Sequence, residues 1–115
     1  MKSYLLTAIF VFGWVSLAFC HPPDSIKVDF NDSTKITKIT IYHQVKDASK
    51  HYIDDVDVTY DGNKIIQQNC KSQSDNTIQE LVFKIIDVKV GDELKITADC
   101  NKMGQKTIKH TISKK

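Results

Sequence analysis

His43, the run Lys50-His51-Tyr52-Ile53 and, far downstream, Cys100-Asn101-Lys102-Met103-Gly104 are the stretches whose side chains could do chemistry in this chain. Imidazole and thiolate are transition-metal ligands. Met103 would add a thioether, a soft donor suited to copper(I) and a poor one for ferrous iron. Each also has an ordinary reading: His43 and His51 as loop histidines, Met103 packed over an apolar surface in a turn, Cys100 as half of a disulfide. His110 alternates with Ile108 and Ile112, so its first reading is an edge or core histidine and its second a replacement ligand. The chain has no nucleophile-and-base pattern of a hydrolase, no Gly-rich phosphate loop and no Cys-x-x-Cys.

The elements that must position these residues read as strands. β-Branched residues recur at period two and turn residues interrupt them at short intervals. The pattern predicts strands over Ser25 to Phe30, Lys35 to His43, Ile53 to Tyr60, Lys64 to Asn69, Thr77 to Asp87, Glu93 to Cys100 and Thr107 to Ile112. Asp61-Gly62-Asn63 is the strongest hairpin signal, because Asp-Gly accepts the positive φ of a tight primed turn. Seven short strands at this spacing predict an all-β, antiparallel sandwich of immunoglobulin type. Parity then places Ile39, Ile41 and His43 on one face, and Leu94, Ile96, Ala98 and Cys100 on another. His43 and Cys100 would thus close apolar faces where a strand runs into a loop.

Residues 1 to 20 stand apart, since Lys2 followed by the apolar run Tyr4 to Ala18 has the form of a secretion signal. Cleavage after Ala18 and after Cys20 both satisfy the small-residue rule. A lipidated Cys20 is the weaker reading, because Phe19 stands where a lipoprotein signal has a small residue. The run is shorter than the ~20 residues that span a bilayer, so no membrane anchor is expected after cleavage. The expectation is a secreted domain, extracellular or periplasmic, over residues 21 to 115. All 16 cationic residues are lysines against 14 acidic ones, a near balance without guanidinium that argues against nucleic acid or an anionic membrane as partner. In an oxidising compartment Cys70 and Cys100 would pair, and a bond closing that loop contributes ~2 to 4 kcal/mol. Asn31-Asp32-Ser33 is a glycosylation sequon in a predicted turn.

Taken in order, these pieces resemble the superoxide reductases, the iron-binding domain of the desulfoferrodoxins. His21-Pro22-Pro23 looks like that family's first histidine segment, Ile39 to His43 leads into the second histidine, Lys50-His51-Tyr52-Ile53 is similar to the third with its following strand, and Ala98-Asp99-Cys100-Asn101 resembles the axial cysteine and its neighbours. The resemblance implies a seven-stranded immunoglobulin-like sandwich holding one ferrous iron through His21, His43, His51 and Cys100. The implied activity is reduction of superoxide to hydrogen peroxide; the family's cationic loop has no counterpart here, and Lys50 and Lys102 are the candidates to stand in its place. This chain departs from the pattern where the family has Cys-Asn-x-His, because Met103 stands in place of the last histidine. The eight-residue step from His43 to His51 also lacks the family's proline, and the glutamate and lysine that precede the first histidine are absent.

Two other classes of function fit the same residues. One is a disulfide-stapled immunoglobulin-like binding module that has kept the fold and lost the metal, with a protein partner the sequence does not identify. The other is a copper-handling protein using His21, His43, His51 and Met103; cleavage after Cys20 would give His21 a free amine beside its imidazole, a chelating pair for copper(II). The state of Cys100 separates the first of these from the iron reading, and metal preference separates the second.

Overall fold

In the computed structural model, residues 21–113 are described. The leader expected over residues 1 to 20 lies outside them, as does the Lys114-Lys115 end. Seven strands form: β1 (Ser25–Phe30), β2 (Ile36–Tyr42), β3 (Ile53–Tyr60), β4 (Asn63–Asn69), β5 (Ile78–Lys84), β6 (Glu93–Cys100) and β7 (Gln105–Thr111). They make two antiparallel sheets, β1-β2-β5 and β4-β3-β6-β7, and no helix occurs among the described residues. The expected sandwich is therefore the observed one. No helix of the described residues is long and apolar enough to cross a membrane.

Alternation dictates the packing. In β6 the even positions Leu94, Ile96, Ala98 and Cys100 are buried, and in β3 so are Ile53, Val56 and Val58. The shift from odd to even in β3 coincides with a bulge between Ile53 and Asp55, where an extra residue rotates the strand against β6. Ile39 and Ile41 of β2 cover this surface from the other sheet. At roughly 25 cal/mol per Å² of apolar area, burial of these β-branched side chains is the main favourable contribution to folding. The Asp61-Gly62 turn joins β3 to β4 with φ of 51° and 78°, the positive pair of a type I′ hairpin.

Two strand boundaries differ from expectation by more than one residue. β5 stops at Lys84 and does not reach Asp87, because Ile85 and Val88 turn inward to plug the sandwich while the Ile85 N–H bonds back to Lys35 O. β7 starts two residues early, at Gln105, because β6 still has free edge there and Asp99 pairs with it.

Three connections cross between the sheets and decide what meets at each end. The β2–β3 loop (43–52) and the β4–β5 loop (70–77) cross at one end, where the β6–β7 turn (101–104) and the segment before β1 also lie. The β5–β6 loop (85–92) crosses at the other end, beside the β1–β2 and β3–β4 turns.

Candidate metal centre

Strand direction carries three of the predicted residues to the first end. His43 follows the last residue of β2, His51 stands two residues before β3, and Cys100 is the last residue of β6. Their ligand atoms all lie within 4.8 Å of one another. His21, just ahead of β1, joins them by ring contact, with centroids 4.8 Å from His43 and 5.7 Å from His51.

His43 is fully buried, and its orientation is fixed by a residue the sequence did not flag. Gln73, itself buried in the β4–β5 loop, accepts at Oε1 from His43 Nδ1–H at 2.6 Å and donates from Nε2 to His43 O and Asp75 O. With Nδ1 committed as a donor, the neutral ring has its lone pair on Nε2. That atom is buried and without a hydrogen-bond partner. An orphaned buried acceptor costs roughly 1–3 kcal/mol unless something satisfies it, and here the nearest chemistry is an imidazole and a thiol.

His51 is set by a short turn and a clamp. Asp47 O accepts the N–H groups of Lys50 and His51, while the Asp47 carboxylate takes the Ser49 hydroxyl and N–H, which together hold that carboxyl below its ordinary range. Asn101 then clasps the 50–52 stretch from the far side. Its Oδ1 accepts from Tyr52 N–H at 2.9 Å, its Nδ2 donates to Lys50 O at 3.0 Å, and its own N–H bonds to Tyr52 O. Because Asn101 adjoins Cys100, the clasp brings His51 Nε2 to 3.0 Å from Cys100 Sγ. Partial burial disfavours protonation of His51 most; the neighbouring His43, His21 and Lys102 push its pKa further down. A neutral imidazole is the form a metal needs.

His21 is beside the other three but not aimed at them. Its Nδ1 and Nε2 sit 3.0 Å from Pro22 O and Gln44 O. Each ring nitrogen bonds to its carbonyl only when it carries a proton.

The remaining residues singled out in the sequence fall away from this cluster. Cys70 and Cys100 are both free thiols, so the expected bridge is not formed. Geometry explains this: Cys70 N–H bonds to Asp54 O on one side of β3, whereas Cys100 pairs with Ile53 on the other. Two strand spacings, roughly 10 Å, separate them, against a limit of about 7 Å between the Cα atoms of a disulfide. Met103 is 65% exposed and does not pack over an apolar surface. His110 pairs with Leu94 near the start of β6, at the opposite end of the sandwich, and is no replacement ligand. Lys50 is exposed and its charge acts on Asp47, whereas the charge of Lys102 acts on His51. Asn31 is exposed in the β1–β2 turn, where its Oδ1 caps the N–H groups of Ser33 and Thr34.

Comparison with solved structures places this arrangement in a known fold. The chain is similar to the superoxide reductase of Giardia intestinalis, with a TM-score of 0.53 and 14% identity over 79% of this chain and 99% of that one. It is also similar to a variant of the superoxide reductase (neelaredoxin) of Ignicoccus hospitalis, with a TM-score of 0.51 and 14% identity over 87% and 85% of the two chains. No protein-family model matches the chain, and no curated protein matches it in sequence. The fold is thus that of the superoxide reductases, and at one end of it His43, His51 and Cys100 form a group that could hold a metal ion.

Proposed function

We propose that this chain is a mononuclear metal protein of superoxide reductase type. In this reading His43 Nε2, His51 and Cys100 Sγ hold a ferrous ion, with His21 as the fourth donor and superoxide as substrate. The observation that carries the reading is the buried, unpartnered Nε2 of His43 facing a neutral imidazole and a thiol. The donor set fits a transition metal: two or three imidazoles and one thiolate are borderline-to-soft ligands, and no carboxylate is among them.

A ferrous ion held by these residues would supply the one electron that, with two protons, converts superoxide to hydrogen peroxide. The protein's part is positional and electrostatic. Cys100, at the end of β6 and backed by its N–H bond to Gly104 O, offers its sulfur. Gln73 keeps His43 in one tautomer, and the Asn101 clasp keeps His51 against the sulfur. Lys102, whose charge already acts on His51, is better placed than Lys50 to attract an anion. Met103, where the family has its last histidine, points this set toward fewer nitrogen donors and a lower affinity for iron. Copper therefore stands as the competing metal. Export through the leader in residues 1 to 20 is the proposed route to an extracellular or periplasmic setting.

The test is anaerobic reconstitution of the chain from His21 with ferrous iron, with bound metal measured by elemental analysis beside a His43→Ala/His51→Ala double variant. Near-stoichiometric iron that disappears in the variant, followed by superoxide consumption that Cys100→Ser abolishes, is the expected outcome. Iron absent from both proteins, or copper displacing iron at equal concentration, overturns the iron reading.

A further inference from the structure

Three glycines adopt the left-handed backbone among the described residues: Gly62 at φ 78°, Gly91 at φ 94° and Gly104 at φ 111°. At Gly62 and Gly91 an added Cβ would meet nothing within 4 Å. At Gly104 it would lie 2.6 Å from Pro22 N, 2.7 Å from Pro22 Cα and 3.0 Å from His21 C. All three are backbone atoms, so no rotamer change relieves the overlap. Left-handed φ accounts for a glycine at each position. Only at position 104 does the chain also require an open surface for another segment.

We infer that Gly104 is a positioning residue that seats His21 at the metal centre. The inference rests on the metal reading above and adds to it how the fourth donor is delivered. His21 precedes β1, so no strand ladder reaches it; Asp24 N–H, bonded to Tyr42 O, is the first backbone anchor after it. Between them Pro22 lies on Gly104, whose carbonyl accepts the N–H of Cys100 at 2.9 Å. One peptide thus ties the thiol to the segment carrying the outermost imidazole. His43, His51 and Cys100 are held by Gln73, Asn101 and β6, so a Cβ at position 104 displaces His21 and leaves the other three in place.

Cobalt(II) titration reports this directly, because thiolate-to-cobalt charge transfer and the d–d bands read the sulfur and the coordination number separately. In Gly104→Ala, cobalt affinity should fall about 10- to 100-fold, as for loss of a supporting partner. The d–d bands should match those of His21→Ala, and the charge-transfer band should persist. Gly91→Ala carries the same φ demand without the contact and should bind cobalt as the parent does. The double variant His21→Ala/Gly104→Ala should bind no more weakly than His21→Ala alone, since the glycine acts through the histidine. Additive losses, parent-like binding by Gly104→Ala, or an equal loss in Gly91→Ala would each overturn the inference. Should the parent bind no cobalt, the metal reading fails, and imidazole NMR of the metal-free protein decides the seat. His21 ring signals that move in Gly104→Ala but not in Gly91→Ala support it, and unmoved signals overturn it.

Discussion

The two ends of the sandwich are built from the same materials and differ in what their polar groups face. At the end opposite His43, Tyr60 donates its hydroxyl to Asp92 at 2.8 Å, Asp92 also accepts the Lys89 N–H, and Gly62 and Gly91 turn in open space. Each of these polar groups closes a turn and has its partner. At the His43 end Gly104 instead turns against Pro22, and a fully buried nitrogen on His43 is left without a hydrogen-bond partner. Thr37 Oγ1 near the other end and Asp57 Oδ1 in β3 are also buried without partners, so an unpaired atom alone does not mark a site; at His43 the unpaired nitrogen belongs to a His/Cys group that could hold a metal ion. The difference teaches that what sets the His43 end apart is the company its unpaired nitrogen keeps, His51 and Cys100, rather than the missing hydrogen bond itself.

The largest break in this contrast should come from Cys100→Ser. The serine hydroxyl is a weak metal ligand, so iron or cobalt binding should lose its charge-transfer band and most of its affinity while the sandwich still folds. Fold is checked by circular dichroism and metal by titration. Retained charge transfer would move the sulfur donor to Cys70. Next comes Gln73→Leu, which frees the His43 ring to rotate. An outer-shell change of this kind typically costs 10- to 100-fold in metal affinity. It also leaves Nδ1 of a fully buried histidine unpaired, so unfolding should shift by roughly 1–3 kcal/mol in the metal-free protein. Equal metal affinity in parent and variant would remove Gln73 from the site.

Asn101→Ala sharpens the comparison at smaller scale. It removes two side-chain hydrogen bonds that clasp Lys50 and Tyr52, a loss of about 1–2 kcal/mol in urea unfolding. Because Ile53 still pairs with Cys100, the strands should stay in register and only the His51 approach should loosen. A drop in stability without any change in metal affinity would show the clasp to be structural, like the Tyr60 contact at the other end.

What the sequence disclosed of this molecule follows from which forces are local. Alternation along β2 and β6 put Ile39, Ile41 and His43, and Leu94 through Cys100, on buried faces, because strand geometry repeats every two residues whatever surrounds it. Strand ends then brought His43, His51 and Cys100 together. Gln73 was invisible, since it lies 30 residues from His43 in a polar loop and acts through a contact between two crossing connections. Gly104 closes the Cys100 to Gly104 stretch, yet its role depends on Pro22, a partner from the other end of the chain. The Cys70–Cys100 bridge was expected from compartment and count, neither of which sees that β3 runs between them. Met103 was expected to pack because it is apolar, and the short turn gives it no surface to pack on.

The smallest effect belongs to the end away from His43 and is a matter of pH. The Lys89 N–H bond, with the Tyr60 hydroxyl second, holds the Asp92 carboxyl below the ordinary 3.8. Its bond to Asp92, then partial desolvation and the charge of Asp92, raise Tyr60 above 10.0. A depressed carboxyl contributes stability that is complete above its unfolded value and is lost as pH falls from 3.8 through the lower folded value. A raised phenol contributes stability that is complete below 10.0 and is lost as pH rises through the higher folded value. The stability difference between the parent and Tyr60→Phe should therefore be flat between about pH 4 and pH 10 and shrink beyond both limits, read from urea midpoints across that range. Since both groups are near solvent, the plateau should be small. Metal affinity at neutral pH should be the same in the two proteins, and a Tyr60→Phe variant that bound metal less well would mean the two ends are coupled through β3 and β6.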